Sequence, residues 1–158
     1  MGTKYKPDAC DSLVEAVDRG EVKIVAHARN QYPGPYRLKE NELPGLQTIG
    51  FWDARGPQNW GLTMHRNEGI EICYLLSGEM TFRTDEKSWN LKPGSITVTR
   101  PWQRHALGDP HIKSGCLFWM ILDVDSGQKG KQWQLPSWVA TDPETRQELS
   151  RLFRKNQL

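Results

Sequence analysis

The chain has 158 residues, of which 21 are Lys or Arg, 19 are Asp or Glu, and 37% are hydrophobic. This length suits one compact domain, and the seven Trp, four Tyr and four Phe supply large core side chains that disordered chains lack. The net charge of +2 is too small to indicate a nucleic-acid-binding surface, and it lies entirely in residues 143–158.

The cysteine pattern and the apolar runs indicate the cellular compartment in which the protein is expected. Cys10, Cys73 and Cys116 are an odd number without C-x-x-C spacing, which is typical of buried free thiols in a reducing compartment. No run approaches the ~18 apolar residues of a membrane span, and the N-terminus lacks the apolar segment of a signal peptide. We therefore expect a cytoplasmic protein without membrane contact.

The first predicted element is a short helix over residues 11–20. Asp11 or Ser12 is the expected N-cap, and Gly20 ends the helix. The apolar side chains that would form its buried face are Leu13, Val14 and Val17.

From residue 21 to about 124, short alternating runs are separated by Gly, Pro, Asn and Asp, which predicts an antiparallel sandwich or barrel. The alternating apolar sets are Val22, Ile24 and Ala26; Ile70, Ile72, Tyr74 and Leu76; Met80 and Phe82; and Ile96 and Val98. The run Cys116–Val124 is apolar throughout, and it predicts a strand buried on both faces.

The tail predicts an amphipathic helix over 142–156. Asp142 and Pro143 are typical of an N-cap and first helical position, and Leu149, Leu152 and Phe153 follow at i, i+3 and i+4. An apolar stripe on an exposed helix needs a partner, so we expect it to pack on its own barrel or on a second subunit.

One polar constellation stands out within the β region. Glu71 alternates with the apolar face of its strand, and pairing with the His65 strand would let these two side chains face each other, with His105 joining them. Two imidazoles and one carboxylate compose a metal site of the 2-His-1-carboxylate type. They equally compose a polar pocket for a small hydroxylated ligand, or a satisfied hydrogen-bond cluster without any ligand.

Two motifs in these strands resemble those of the cupin superfamily. The first is His65-x-Asn67, three residues, Glu71, six residues, Gly78; the second is approximated by Gly94, Pro101 and His105. Asn67 stands where the superfamily has a second histidine, and Gln103 stands where a glycine is expected. The resemblance implies an all-β, cupin-like double-stranded β-barrel (jelly roll), with three of four metal-ligand positions retained.

The strings EICYLLSGEMTF and WNLKPGSITVTRPWQRHAL are similar to the N-terminal effector-binding and dimerisation domain of AraC-type transcription regulators. This resemblance implies an N-terminal arm and helix (1–20), a cupin barrel (21–140) and a C-terminal linker helix (141–158). It also implies a homodimer, and DNA binding through a following helix-turn-helix domain whose pattern is absent from these residues.

The sequence therefore predicts a small-molecule-sensing domain rather than an enzyme. The expected effector is sugar-like or another small polar or aromatic compound, and no cofactor is required. The polar contacts are assigned to His65, Asn67, Glu71 and His105, with Trp60 as an aromatic wall; Trp52 and Trp102 are further wall candidates, whereas Trp119 is assigned to the core.

The alternative is a stand-alone metal-dependent enzyme of the isomerase, lyase or oxygenase class. His65, Glu71 and His105 would then hold a divalent metal such as Zn, Ni, Fe or Mn. A purely structural interaction module is a third reading, and it predicts neither metal nor small-molecule binding.

Overall fold

A computed structural model describes residues 8, 10–124, 135–139 and 142–155, and leaves the side chains of residues 150 and 152–155 undescribed. The predicted roles of Leu152 and Phe153 therefore lie outside the described side chains, as residues 1–7 and 156–158 lie outside the described chain. The elements are α1 (Asp11–Asp18), β1 (Val22–Ala28), β2 (Tyr36–Arg37), β3 (Leu46–Ala54), β4 (Leu62–His65), β5 (Ile70–Gly78), β6 (Met80–Thr84), β7 (Ser88–Leu91), β8 (Ile96–Thr99), β9 (His105–Leu107), β10 (Gly115–Leu122) and α2 (Pro143–Lys155).

The strands form two hydrogen-bonded sheets. The larger sheet has six strands in the order β2-β1-β3-β10-β5-β8, and the smaller has four in the order β4-β9-β6-β7. Neighbouring strands are antiparallel, apart from the short parallel pair of β1 and β2. The two packed sheets, with one short helix near each end of the chain, confirm the predicted all-β jelly-roll class.

The main core lies between the inner faces of the two sheets. Trp52, Leu75 and Leu117 from the larger sheet are almost fully buried there, and Phe82 and Leu107 join them from the smaller sheet. Each of these side chains follows the period-two alternation of its strand, which places one face of the strand in the core.

β10 departs from the prediction of a strand buried on both faces. Leu117, Trp119 and Ile121 are buried, whereas the alternating side chains Cys116, Phe118 and Met120 are only half-buried. The strand lies centrally between β3 and β5, so its backbone is paired on both sides while the outer face of its sheet stays partly open. The continuous apolar run therefore corresponds to a central strand of the sheet and not to a strand buried on both faces.

α1 confirms the predicted helix but differs in its cap and buried face. Cys10 occupies the N-cap position without a side-chain hydrogen bond, so neither Asp11 nor Ser12 is the cap. Leu13 and Ala16 are buried, whereas Val14 is 40% exposed. The prediction that Val14 is buried was wrong. The helix turns Leu13 and Ala16 toward β1, and the small side chain of Ala16 permits close approach.

A second apolar cluster closes one end of the larger sheet. Leu46, Ile70 and Leu122, which begin or end their strands, pack there with Val124 and Leu135. The half-buried Leu149 of α2 packs against this cluster, consistent with the expectation that the helix contacts its own barrel.

The predicted N-cap of α2 is confirmed. Asp142 accepts hydrogen bonds from the backbone N–H and the hydroxyl of Thr145, at 2.9 and 2.6 Å. Neither helix in the described part of the chain has the length and apolarity needed to cross a membrane.

Candidate ligand and metal site

His65 and His105 are cross-strand neighbours in the smaller sheet. β4 pairs with β9 in a register that places the two residues opposite each other, and their ring centroids lie 4.2 Å apart. The His65 strand does not pair with the Glu71 strand, a pairing that the sequence had left open, because β5 belongs to the larger sheet. His65 and Glu71 instead meet across the interior between the two sheets.

Glu71 is the contribution of the larger sheet. Its strand alternates as expected, with Glu71, Cys73 and Leu75 turned inward and Tyr74 exposed. Glu71 Oε2 lies 2.6 Å from His105 Nε2, and the two side chains are only 12% and 4% exposed. An anionic side chain is thus held inside the sandwich, where it needs a cationic or hydrogen-bonding partner.

Backbone carbonyls fix both imidazole rings in the same way. His65 Nδ1 donates to the carbonyl of Thr63 at 2.7 Å, and His105 Nδ1 donates to the carbonyl of Gln103 at 2.9 Å. Because each Nδ1 is committed as a donor, Nε2 is the nitrogen that each ring presents to the interior.

The three side chains converge closely enough to share one ligand. One ligand atom from each of His65, Glu71 and His105 lies within 4.8 Å of the others. The Glu71 carboxylate already pairs with the His105 imidazole through Oε2 and Nε2.

Burial and the neighbouring charges set the protonation of the cluster. Burial opposes the charged form of His105, but the Glu71 carboxylate outweighs it and raises the pKa of this imidazole above its ordinary value of 6.5. Burial likewise opposes ionisation of Glu71, yet His105 lowers the pKa of the carboxyl group below 4.5. Burial lowers the pKa of His65, and the neighbouring His105 lowers it further. At pH 6.5, therefore, His105 is mostly charged and His65 mostly neutral.

This donor set fits a divalent transition metal. Two Nε2 atoms, each with its opposite ring nitrogen held by a carbonyl, and one carboxylate are the ligands that Zn, Fe, Ni and Mn accept. A bound cation would replace the proton on His105 Nε2 and take over its contact with the Glu71 carboxylate.

Asn67 acts on the carboxylate rather than joining the histidines. Its side-chain amide donates to Glu71 Oε2 at 2.8 Å, and its backbone carbonyl accepts from Trp102 N–H at 2.7 Å. The residue that replaces the expected imidazole therefore orients Glu71.

Trp60 packs against the main core, and its indole N–H donates to Gln58 at 3.1 Å. Trp52 and Trp119 are buried in the core, where Trp119 donates to the Thr48 hydroxyl at 3.2 Å. Trp102 is connected to the cluster through its backbone N–H, which donates to the Asn67 carbonyl.

Two further residues contribute to the site beyond those assigned from the sequence. Cys73 donates its thiol to Glu71 Oε1 at 3.5 Å. Thr99 lies opposite Glu71 in the β5–β8 register, and its buried hydroxyl has no hydrogen-bond partner in the described residues. The signal was available, because Cys73 shares the face of Glu71 and threonine alternates with Ile96 and Val98 along β8.

Comparison with known proteins agrees with this architecture. A family model described as a cupin domain matches residues 56–121, which include β4, β5 and β9 with all three cluster residues. Residues 56–121 are thus similar to a cupin domain.

A curated relative is the uncharacterized HTH-type transcriptional regulator YfiF of Bacillus subtilis (strain 168), 24% identical over 109 residues. The alignment covers 67% of this chain and 32% of the relative, so the chain spans about a third of the relative's length.

Two solved structures are similar in part. A predicted oxalate decarboxylase from Thermotoga maritima is 18% identical, with 64% of this chain and 79% of that chain covered and a TM-score of 0.46. A salicylate 1,2-dioxygenase from Pseudaminobacter salicylatoxidans is 14% identical, with 72% and 31% covered and a TM-score of 0.47.

Proposed function

Because residues 56–121 match a cupin-domain model and carry an inward-facing polar cluster, we propose that the chain is the small-molecule-sensing domain of a cytoplasmic transcription regulator. The observation that carries the proposal is the convergence of His65, Glu71 and His105 inside the sandwich, beside a buried Thr99 hydroxyl that has no hydrogen-bond partner among the described residues. Unpaired buried polar atoms are costly, so a small ligand that pairs with them binds favourably. The regulator among the relatives supports a sensing role.

In this proposal, His65, Asn67, Glu71 and His105 supply the polar contacts, and Trp60, whose N–H donates to Gln58, offers its ring as an aromatic wall. The intact protein is a homodimer, and its DNA contacts come from a helix-turn-helix part outside these 158 residues. No membrane contact is involved.

Occupancy would be transmitted by population shift, with the effector favouring one arrangement of strand and helix. β5 carries Glu71 on its inner face and Ile72 on its outer face. Ile72 packs on the second apolar cluster, which also receives Leu149 of α2. A shift of β5 on ligand binding would therefore change the apolar surface on which the C-terminal helix packs.

The test compares Glu71→Ala with Glu79→Ala, a control at an exposed carboxylate paired with Lys113. A library of small sugars and neutral aromatic compounds is screened against the wild-type domain by thermal shift. Ligands that raise its melting temperature should bind Glu79→Ala equally and lose at least tenfold affinity for Glu71→Ala, since about 1.4 kcal/mol of lost polar contact is tenfold. Undiminished affinity of folded Glu71→Ala for every such ligand would exclude this site.

A second function is favoured by the convergence of His65, Glu71 and His105 within 4.8 Å. These residues would hold a divalent metal in an enzyme of the isomerase, lyase or oxygenase class. The metal would supply Lewis-acid activation of a substrate oxygen or of water. Asn67 and Cys73 would hold the carboxylate in place, and the two backbone carbonyls would keep both Nε2 atoms available.

Metal content separates the two functions. Protein purified without chelator is analysed for Zn, Ni, Fe and Mn, beside His105→Ala and the control His111→Ala, whose histidine is exposed in a loop. A metal site at these residues predicts stoichiometric metal in wild type and His111→Ala, and its loss in His105→Ala. Equal metal content in all three proteins would place the ion elsewhere.

A further inference from the structure

A cavity opens between the edges of the two sheets, beside the cluster. It lies between β7, the edge strand of the smaller sheet, and β8, the edge strand of the larger sheet. Its volume is about 470 Å³, within the range of small-molecule sites. We name this space the seam cavity; it contains none of the residues assigned to the site above.

The walls of the seam cavity are aromatic, aliphatic and uncharged. Phe82 and Trp89 form one side with ring centroids 5.7 Å apart, and Ile96 of β8 forms part of the other. Amides of Asn90 and Gln103 and hydroxyls of threonine and serine supply the polar lining, and none of the ten lining residues carries a charge. A charged ligand would lose hydration there without gaining a counterion, whereas a neutral ring can stack on the exposed part of Trp89.

Three wall residues connect the seam cavity to the histidine and carboxylate cluster. The Phe82 ring lies 6.1 Å from the His105 ring, and Gln103 holds His105 Nδ1 with its backbone carbonyl. Thr97 lies opposite Cys73 in the β5–β8 register, and Cys73 donates to Glu71. A ligand in the cavity therefore touches residues that position both members of the buried ion contact.

We propose that the seam cavity binds the planar body of a neutral aromatic ligand that carries hydrogen-bonding groups, such as a carboxamide. The inference deepens the proposed sensing function and depends on it for its biological meaning. It replaces Trp60 by Trp89 as the principal aromatic wall. Binding there changes the surroundings of His105 without requiring a direct bond to a metal.

The experiment titrates the full chain with indole-3-acetamide and 4-hydroxybenzamide, and with the matching carboxylates indole-3-acetate and 4-hydroxybenzoate. Ligands of this size bind with roughly millimolar affinity when they fit, so titrations extend to about 5 mM. Nitrogen–proton NMR spectra report the Trp89 indole and the His105 ring. We expect at least one amide to shift both signals, and its carboxylate to bind at least tenfold more weakly.

Variants locate the binding. Trp89→Ala should weaken amide binding at least tenfold, whereas Tyr36→Ala, an exposed aromatic residue on β2, should leave it unchanged. Ile96→Lys introduces a cation at a 64% exposed edge-strand position that tolerates lysine, and it should reverse the preference toward the carboxylate. This second variant keeps the test decisive if Trp89→Ala does not fold.

The inference is overturned if neither amide binds, if the carboxylates bind equally well, or if folded Trp89→Ala and Ile96→Lys bind like the wild type. Glu71→Ala separates this inference from the proposed function. If ligand binding depends on Glu71 but not on Trp89, the proposed sensing site stands and the seam cavity is rejected as the binding site. If it depends on Trp89 but not on Glu71, the seam cavity stands and the histidine and carboxylate cluster is rejected as the binding site.

Discussion

Glu71 and His105 show how burial and pairing oppose each other at single residues. Both side chains are nearly inaccessible, and each one makes the charged form of the other favourable at 2.6 Å. Removing one member of such a buried pair leaves the other charge uncompensated, which typically costs about 3–5 kcal/mol. The pair therefore contributes to stability only where both groups are charged.

We predict a pH-dependent difference between metal-free wild type and Glu71→Gln. Folding lowers the pKa of Glu71, so its contribution is complete above the ordinary value of 4.5 and is lost as pH falls through the folded value. Folding raises the pKa of His105, so its contribution is complete below 6.5 and is lost as pH rises through the folded value. Between these two values the wild type should be more stable by about 3 kcal/mol.

Urea denaturation in the presence of chelator measures this difference. The gap between wild type and Glu71→Gln should be largest between pH 4.5 and 6.5 and should narrow in more alkaline buffer, where His105 loses its proton. A difference in unfolding free energy that stays constant from acid to alkaline pH would contradict a stabilising ion pair between Glu71 and His105.

At the level of elements, the turns that join strands impose backbone conformations that side chains resist. Gly78 has φ +84°, and a Cβ placed there would lie 2.0 Å from the carbonyl oxygen of Ser114. Gly94 has φ +90° but open space around the same position. Both glycines of the sequence motifs thus need a positive φ, but only Gly78 also lacks room for a side chain.

Alanine at these positions separates the two effects. Gly94→Ala should cost about 1–2 kcal/mol of unfolding free energy, which is the price of a left-handed conformation. Gly78→Ala should cost about 1–3 kcal/mol more, because β5 and β10 must also move apart. Chemical denaturation of both variants, with Gly56→Ala as a control in open space, measures the difference. Equal losses at 78 and 94 would refute the steric argument.

The sequence was informative about elements and less so about their pairing. Alternation identified β1, β5, β6 and β8 and the inward face of β5, and the N-cap signal at Asp142 identified α2. It could not show that β4 pairs with β9 rather than β5, because a period of two specifies a face but not a neighbour. It grouped His65 and His105 with Glu71 but missed Cys73 and Thr99, since their roles depend on contacts that form only when the chain folds.

At the scale of the whole molecule, the cluster joins two sheets that the described strand pairs do not connect. His65 and His105 belong to the smaller sheet and Glu71 to the larger one. A metal ion held by all three would bind only the packed arrangement and would therefore stabilise it against unfolding.

Zinc added at about 100 times its dissociation constant should stabilise the folded protein by about 2.7 kcal/mol. For a domain of this size that corresponds to a rise of roughly 5–10 °C in melting temperature. Differential scanning calorimetry should show the rise in wild type and His111→Ala, its reversal by chelator, and its absence in His105→Ala. A rise of the same size in His105→Ala would mean that zinc acts at another place.

Gln103 divides its two ends between different tasks. Its backbone carbonyl accepts from His105 Nδ1, its side-chain carbonyl accepts from the backbone N–H of Arg100 at 3.0 Å, and the residue lines the seam cavity. Every amino acid has the backbone carbonyl, so a substitution at position 103 that preserves the turn from Arg100 can change the cavity wall without releasing the histidine. The recognition of a ligand and the chemistry of the cluster are therefore free to diverge independently in descendants of this fold.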